Sequence, residues 1–379
     1  MRGIELSINN LRNHASTRIS LNPGLNIFSG MNGAGKTTIL EAASISAFSK
    51  SFLNSSDSSL IRKGEDAFFI SAACESDMTV PYRVAVKLAI GKRKEISSSI
   101  GENLTPKDII GEIPMVILSP DYKAITFGSP DNRRSFIDRT LSQTSKIYYE
   151  DLIKHKRALK QRNALLAQAR TDYRFVQTQI SAWTEQFINI SANIVVRRNK
   201  FISEFIPFFK DLYKTVSGGK EQADLTYQPD SLCVENIENK EIIIEKYCEI
   251  ATQASQEEFR RGTTLFGPQK DDLKIFINGG LAKEYASQGQ HKSLLIAIKF
   301  AEFEYLKSRR QETPLILLDD IFSELDAQRA AKVFSLVHNN RAQSLITVTD
   351  AAIINNLMPL DSDYKIFQVD NGIILGDDE

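Results

Sequence analysis

The strongest constraint on this fold is a glycine-rich motif near the start of the chain. Residues 30–37, GMNGAGKT, match the pattern G-x-x-x-x-G-K-[ST]. The motif follows a short apolar segment at 24–29 and precedes a helix-like segment at 39–47. A strand, a glycine turn and a helix in this order are the context that supports a phosphate-binding loop. The sequence therefore predicts a nucleotide site at these residues, hereafter the phosphate loop.

Each part of the phosphate loop suits a nucleoside triphosphate. Glycines let backbone N–H groups curl around phosphates, and the helix N-terminus that follows adds partial positive charge. Lys36 is expected to reach the β/γ-phosphates, and the Thr37 hydroxyl to bind Mg²⁺. The predicted cofactors are therefore ATP and Mg²⁺. The expected nucleotide contacts are Gly30, Met31, Asn32, Gly33, Ala34, Gly35, Lys36, Thr37 and Thr38.

A second motif places two carboxylates at the end of an apolar strand. Residues 315–318 are all apolar and are followed by Asp319 and Asp320. A buried parallel strand has this composition, and ligands bind at the carboxyl ends of such strands. Asp319 is expected to hold Mg²⁺, and Asp320 to orient or deprotonate the attacking water. Asp320 and Lys36 are thus the candidate catalytic residues.

Two short turns flank this strand in sequence. Residues 287–290, SQGQ, hereafter the signature turn, precede a helical segment, and Ser287, Gly289 and Gln290 are candidate phosphate contacts because a helix N-terminus attracts anions. Taken alone, this turn also fits an ordinary helix cap. Residues 323–326, SELD, hereafter the D-loop, follow the strand. The four motifs in this order favour an ABC-type ATPase over a GTPase or an AAA-type enzyme.

The wide separation of the phosphate loop from Asp319 indicates a second domain between them. Residues 132–216 look helical, whereas strand-like segments dominate both flanks. We therefore expect an α/β fold, namely an ABC-type ATPase head (P-loop NTPase) formed by residues 1–128 and 262–379. A mostly helical second domain is inserted at 129–261. An insertion of this size disfavours a transporter ATPase and resembles the SMC-like ATPases.

Overall charge gives no hint of a nucleic-acid partner. Lys and Arg total 47, Asp and Glu total 47, and the formal net charge is zero, so any DNA contact must come from local patches. Smaller basic clusters occur at 92–94, 133–134 and 197–198. One segment without acidic residues, 153–171, supplies the candidate DNA-binding residues Lys154, Lys156, Arg157, Lys160 and Arg162.

The same segment also fits a solvated helix face, which is the alternative to a DNA surface. Aromatic residues do not interleave with its basic residues, so stacking on single-stranded bases has little support. Contacts to the backbone of duplex DNA, or of a duplex–single-strand junction, are favoured instead.

Cysteine use and hydropathy predict a cytoplasmic protein without a membrane partner. Cys74, Cys233 and Cys248 lack the spacing of metal ligands, as is typical of buried thiols in a reducing compartment. The sequence shows no secretory signal, and its apolar runs fall far short of the ~20 residues needed to cross a bilayer.

Ordered matches over essentially the whole chain resemble the RecF family of bacterial recombination mediators. They comprise the motifs above together with 10–14 (NLRNH), 128–139 (GSPDNRRSFIDR), 158–163 (ALKQRN) and 267–273 (GPQKDDL). The resemblance implies an ATP-dependent DNA-binding protein of replication, recombinational repair and the SOS response to DNA damage. It also implies a homodimer around two ATP molecules that acts with RecO-like and RecR-like mediators to load a recombinase. Under it, Ser287 contacts the γ-phosphate held by the other subunit, and Arg12 and Asn13 lie near the adenine.

Some positions depart from the family pattern. Gln269 and Lys270 replace the usual His-Arg, and Leu53 stands where Arg is usual, whereas Lys36 and Thr37 are retained. Residues 347–350, TVTD, hold no histidine where an ABC ATPase has its switch histidine. We therefore expect slow hydrolysis, as in a weak DNA-stimulated ATPase. A scaffold that uses ATP only to hold a dimer together is the alternative.

Overall fold

A computed structural model of the chain describes residues 1–53, 55–169, 173–232, 237–351 and 363–375. Cys233, one of the three predicted thiols, lies outside these residues. The chain forms two compact units. The first comprises Met1–Lys123, Asp211–Lys220 and Ser287–Glu379, and the second comprises Ala124–Lys210 and Glu221–Ala286.

The strands of the described residues form three sheets. Their bounds are β1 Arg2–Leu11, β2 His14–Ser20, β3 Leu25–Ser29, β4 Ala67–Glu75, β5 Pro81–Ala89, β6 Glu95–Ser98, β7 Met115–Leu118, β8 Ala223–Gln228, β9 Asp272–Ile277, β10 Gly280–Leu281, β11 Leu315–Leu318, β12 Ser344–Val348, β13 Tyr364–Asp370 and β14 Ile373–Leu375. In the first unit, an antiparallel sheet has the order β2-β1-β4-β5-β6, and a six-stranded sheet has the order β14-β13-β3-β12-β11-β7. The second unit holds the antiparallel sheet β10-β9-β8.

The helices account for most of the remaining described residues. Their bounds are α1 Lys36–Phe48, α2 Pro106–Ile109, α3 Ala124–Phe127, α4 Pro130–Thr144, α5 Lys146–Gln168, α6 Tyr173–Ser217, α7 Lys240–Arg261, α8 Ala282–Tyr285, α9 Gln288–Arg310 and α10 Ala327–Asn339. The helical stretch predicted at 132–216 is present as α4, α5 and α6. No helix of the described residues is long and apolar enough to span a membrane.

The second unit extends further along the chain than the predicted insertion. The sequence placed the boundary at residue 262, whereas the contacts place residues up to Ala286 in the second unit. The physical reason is that β9 pairs along its whole length with β8 and also packs against α4. The sequence pattern does not predict a strand at β8, so this pairing is not expected from the sequence.

The helix that follows the phosphate loop is buried on nearly all sides. Helix α1 packs against β1, β4 and β5 of the antiparallel sheet and against β12 of the six-stranded sheet. Its buried residues include Ile39, Leu40 and Ile45, which belong to the apolar core of the first unit. This two-sided burial explains why the helix carries apolar residues all around its axis.

The parallel part of the six-stranded sheet determines where the candidate site lies. β3, β7, β11 and β12 are buried at every position, as expected of parallel strands covered on both faces. Leu318 pairs with Ile346, and Ile346 pairs with Ile27. Because these strands are parallel and in register, the residues that follow them meet at one edge of the sheet.

Buried ion pairs explain two of the basic clusters in the sequence. Arg133 donates to both carboxylate oxygens of Asp272, at 2.6 and 3.0 Å. Arg198 donates to Asp271 at 3.1 Å and to Asp138 at 2.9 Å. Both arginines are buried, so neither is part of an exposed basic patch.

Candidate nucleotide-binding site

The phosphate loop is contacted by Asn13, in the turn between β1 and β2, and by His14, the first residue of β2. Asn13 Nδ2 donates to the main-chain oxygens of Ala34, at 3.1 Å, and of Gly33, at 3.3 Å. His14 Nε2 lies 3.0 Å from the oxygen of Gly35, and it must donate there because a carbonyl only accepts. Burial lowers the pKa of His14. Carbonyl oxygens of the loop thus have protein partners.

Glycine is required where the loop enters α1. Gly35, the N-cap of the helix, has φ 110°. A Cβ there would lie 2.7 Å from His14 Nε2 and 2.8 Å from Asn13 Nδ2. The close approach that lets Asn13 and His14 hold the loop therefore leaves no room for a side chain.

Lys36 is buried and lies against the loop that precedes it. Its Nζ donates to the main-chain oxygens of Gly30, at 2.6 Å, and Met31, at 2.9 Å. Burial lowers the pKa of Lys36, and the charges of Asp320 and Asp319 oppose that shift. The ammonium is therefore placed within the electrostatic reach of both carboxylates.

The structure brings Thr37 and Asp319 together, although they are distant in sequence. The Thr37 hydroxyl donates to Oδ1 of Asp319 at 2.8 Å. The same oxygen accepts from the hydroxyl of Thr347, at 2.9 Å. Burial raises the pKa of Asp319, while the hydrogen bonds from Thr37 and Thr347 act in the opposite direction. The predicted metal-binding pair is thus adjacent.

Asp320 follows Asp319 in a left-handed backbone conformation. Its φ is 46°, in the left-handed region that non-glycine residues rarely adopt. Its backbone N–H donates to Oγ1 of Thr347 at 2.8 Å, and its main-chain oxygen accepts from Ser323 at 2.8 Å. Thr347 therefore fixes both acidic residues. In the sequence, Thr347 is distinguished only as part of a segment without histidine, and its position at the end of β12 is the signal that points to it.

The residues present fit ATP and Mg²⁺. Hydroxyl and carboxylate oxygens are the hard ligands that Mg²⁺ prefers, and this ion commonly takes one or two from the protein and the rest from phosphate and water. No group of three or more His, Cys, Asp and Glu side chains in the described part of the chain could hold a metal by itself. A metal beside Thr37 and Asp319 would therefore need phosphate oxygens to complete its coordination.

The signature turn lies at the N-terminus of α9. Ser287 is the N-cap, its Oγ accepts from the N–H of Gln290 at 3.2 Å, and its N–H donates to Gln290 Oε1 at 2.7 Å. Ser287 is exposed, and none of its hydrogen bonds among the described residues reaches the phosphate loop. The turn therefore forms an ordinary helix cap, and this geometry is also compatible with the predicted anion site.

Arg12 has a partner other than the phosphate loop. Its guanidinium donates to both oxygens of Glu41, at 3.0 and 2.9 Å, and to Ser55. Glu41 is buried on α1, and its hydrogen bond raises the pKa of Arg12. Arg12 therefore anchors the turn between β1 and β2 to α1, whereas its neighbour Asn13 contacts the loop directly.

The basic residues of α5 divide into exposed and buried groups. Lys154, Lys156, Arg157 and Lys160 are exposed. Arg162 is 3% exposed and donates to both oxygens of Glu258, at 3.0 and 2.6 Å. This corrects the expectation for Arg162, because a guanidinium in a buried ion pair cannot contact a DNA phosphate.

Comparison with known proteins identifies the family. The model of the RecF/RecN/SMC N terminal domain matches residues 4–375. A DNA replication and repair protein RecF from Chloroherpeton thalassium is 36% identical over 355 residues, which cover 92% of this chain and 95% of that protein. A protein of the same name from Bacteroides thetaiotaomicron is 34% identical over 371 residues, or 97% of each chain.

Solved structures agree with this assignment. The recombination mediator protein RecF-ATPrS of the RecFOR pathway superposes with a TM-score of 0.88 at 26% identity, covering 98% of this chain and 97% of that one. The Smc head domain of Pyrococcus furiosus, at 16% identity and a TM-score of 0.54, covers 98% of this chain and 95% of that one and shares only the fold. From its relatives and from the match across nearly its whole length, this chain belongs to the RecF family.

Proposed function

We propose that this protein is an ATP-dependent DNA-binding protein of replication and recombinational repair. The observation that carries the proposal is the hydrogen bond between Thr37 and Asp319, beside the buried ammonium of Lys36. A solved relative is described as RecF-ATP of the RecFOR pathway, and it covers 98% of this chain and 96% of that one with a TM-score of 0.88. That description supports ATP as the nucleotide for this chain.

The chain's own residues divide the work at the nucleotide. Backbone N–H groups of the phosphate loop and Lys36 bind the phosphates, and Thr37 and Asp319 hold Mg²⁺. When bound, Mg²⁺ neutralises phosphate charge. Asp320 is the candidate for orienting or deprotonating the attacking water, and its backbone is fixed by Thr347. These roles supply positioning and electrostatic stabilisation, which are the main contributions of protein to phosphoryl transfer.

A second subunit completes the proposed site. The signature turn is an exposed helix N-terminus with Ser287 as its cap, and such a position favours a negative charge. In the proposed dimer, Ser287, Gly289 and Gln290 of one subunit contact the γ-phosphate held by the other. ATP is thereby both ligand and bridge, so that dimerisation depends on it.

Four exposed basic residues form the proposed DNA surface. Seven consecutive positions of α5 contain all four of them, Lys154, Lys156, Arg157 and Lys160. Among the described residues, only Lys154 of these four has an acidic side chain within 4.0 Å, namely Glu150 at 3.9 Å. Neutralising DNA phosphates with such residues gives salt-sensitive binding without base specificity. The family resemblance favours RecO-like and RecR-like proteins as further partners.

The proposal is tested with Lys36→Arg, with Lys63→Arg as the matched control at an exposed lysine outside the site. We would measure the mass of the protein in solution with and without ATP, and its affinity for gapped duplex DNA over a salt series. Lys36→Arg should lose both ATP-dependent dimerisation and DNA retention, and the control should keep them. Unchanged behaviour of Lys36→Arg in both assays would refute the proposal.

A scaffold without a hydrolytic cycle is the second candidate function. The residues after β12 are Thr349 and Asp350, with no imidazole to sense the γ-phosphate. Under this alternative, Asp320→Asn leaves DNA repair in cells intact while ATP turnover falls. Loss of repair with Asp320→Asn, at normal protein level and normal ATP binding, favours hydrolysis.

A further inference from the structure

Arg329, in the first turn of α10, joins the D-loop to the signature turn. Its backbone N–H donates to Oδ1 of Asp326 at 3.0 Å, and its guanidinium forms an ion pair with the same carboxylate. Its Nε donates to Oγ of Ser293 at 3.0 Å, and Ser293 in turn donates to the main-chain oxygen of Gly289 at 3.2 Å. A continuous chain of contacts therefore runs from Asp326 through Arg329 and Ser293 to Gly289.

Gly289 leaves space for this arginine. A Cβ at position 289 would lie 3.0 Å from a terminal nitrogen of Arg329. A Cβ at this position would therefore require the guanidinium to shift by a few tenths of an ångström. The absence of a side chain at position 289 lets the guanidinium lie close to the backbone of the signature turn.

The charge of Arg329 opposes the dipole of its own helix. A cation in the first turn of a helix opposes the helix dipole, and Arg329 lies near the N-termini of both α10 and α9. Asp326 offsets this, since the hydrogen bond to the Arg329 N–H and the ion pair lower the pKa of that carboxylate. Ser293, by contrast, is 3% exposed and gives the guanidinium a fixed orientation.

The D-loop has a second connection to α9. The ammonium of Lys292 donates a hydrogen bond to the main-chain oxygen of Glu324, and the Glu324 carboxylate pairs with Lys123. Two side chains thus connect α9 to the D-loop. Arg329 of α10 contacts both Ser293 of α9 and Asp326 of the D-loop, and Lys292 of α9 contacts Glu324 of the D-loop.

We propose that Arg329 is a positioning residue that makes the D-loop and the signature turn move as one body. When the signature turn contacts the nucleotide of a second subunit, the position of the D-loop is then fixed as well. The proposal rests on the ATP-dependent dimer of the proposed function. Arg329 itself need not touch the nucleotide, because it acts through Ser293 and Gly289.

The experiment uses Arg329→Ala, Ser293→Ala and the double variant in the full-length protein. Lys332→Ala is the matched control, since this basic residue of α10 donates instead to the main-chain oxygens of Thr215 and Val216. For each protein we would measure the affinity for a fluorescent ATP analogue, the ATP-dependent monomer–dimer equilibrium and the urea midpoint of unfolding.

We expect Arg329→Ala to keep ATP affinity within about twofold and to weaken the ATP-dependent dimer about tenfold or more, which is the size of a typical coupling between sites. The ATP-dependent dimer of the double variant should be no weaker than that of Arg329→Ala, because both substitutions interrupt one chain of contacts. A dimer of wild-type strength in Arg329→Ala, or additive effects in the double variant, overturns the proposal.

Two further comparisons keep the result decisive. If Arg329→Ala lowers the urea midpoint strongly, Ser293→Ala supplies the test, since it interrupts the chain of contacts at a smaller side chain; wild-type dimerisation by Ser293→Ala then overturns the proposal. If the wild-type protein binds ATP without dimerising, the proposed function fails. Failure of the coupling alone appears as normal wild-type dimerisation that Arg329→Ala leaves unchanged.

Discussion

The hydroxyl of Thr347 donates to Oδ1 of Asp319 at 2.9 Å and accepts the backbone N–H of Asp320 at 2.8 Å. One buried side chain at the end of β12 thus holds both acidic residues that follow β11. Asp319 is the proposed Mg²⁺ ligand, and removal of a partner that orients a metal ligand commonly changes metal affinity by about 10–100-fold.

Thr347→Val should weaken Mg²⁺-dependent ATP binding and lower stability. The valine keeps the shape of the side chain but leaves the Asp320 N–H without its partner, which costs about 1–3 kcal/mol of unfolding free energy. The Mg²⁺ concentration for half-maximal ATP binding should rise about tenfold. Thr347→Ser, which keeps the hydroxyl, is the control, and a loss equal to that of valine would show that the hydroxyl is not responsible.

Gly35→Ala should abolish ATP binding, whereas Gly33→Ala should only weaken it. Both glycines have positive φ, at 110° and 81°, so both substitutions carry a backbone cost of about 1–2 kcal/mol. Only at Gly35 would the new Cβ meet Asn13 and His14, at 2.7–2.9 Å, since nothing lies within 4 Å at Gly33. Isothermal titration with ATP measures the difference, and equal losses would argue against a role for the β1–β2 turn.

Lys156→Ala combined with Lys160→Ala should reduce DNA affinity without changing stability. Each lost phosphate contact lowers the salt slope of duplex binding by about 0.9, so the double variant should lose about two units of slope. Lys214→Ala combined with Lys220→Ala removes two exposed lysines outside α5 and is the matched control. An unchanged slope in the α5 variant would exclude this surface as the DNA contact.

Arg162→Met should instead destabilise the second unit. The substitution leaves Glu258 buried without its cation, and breaking such a pair from one side costs about 3–5 kcal/mol. Glu258→Gln should also destabilise the second unit, because the amide still accepts a hydrogen bond but leaves the buried Arg162 cation without its counter-charge. Urea unfolding measures both effects, and equal stability of Arg162→Met and wild type would contradict the buried pairing.

The free energy of unfolding should decrease as the pH falls through the range in which His155 titrates in the unfolded chain. Burial lowers the pKa of His155 to about 4, and the positive charge of Arg198 adds to this effect. Between pH 6.5 and 4 the unfolded chain takes up a proton that the folded chain does not, so the stability present above pH 6.5 is lost as pH falls. The loss is on the order of 3 kcal/mol. Unfolding curves at pH 7 and pH 5 should differ less for His155→Gln than for wild type.

The sequence by itself determined the local elements of the nucleotide site. The phosphate loop, the apolar strand before Asp319 and the helix after Ser287 are each specified by neighbouring residues. Their strand, turn and helix propensities depend on side chains only a few positions apart. For the same reason β11 was placed at its observed bounds, 315–318, and α1 within three residues of its own. Glycine spacing likewise predicts Lys36 and Thr37 as candidate nucleotide contacts from neighbouring residues alone.

Only the tertiary structure decided which distant groups act on those elements. The contacts of Thr347 with Asp319, of His14 with Gly35 and of Arg329 with Ser293 join segments brought together by sheet register and helix packing. A basic residue in a sequence looks the same whether it faces solvent, as Lys160 does, or lies buried against a carboxylate, as Arg162 does. Burial and partner geometry set the energy of a charge, and both exist only once the chain has folded.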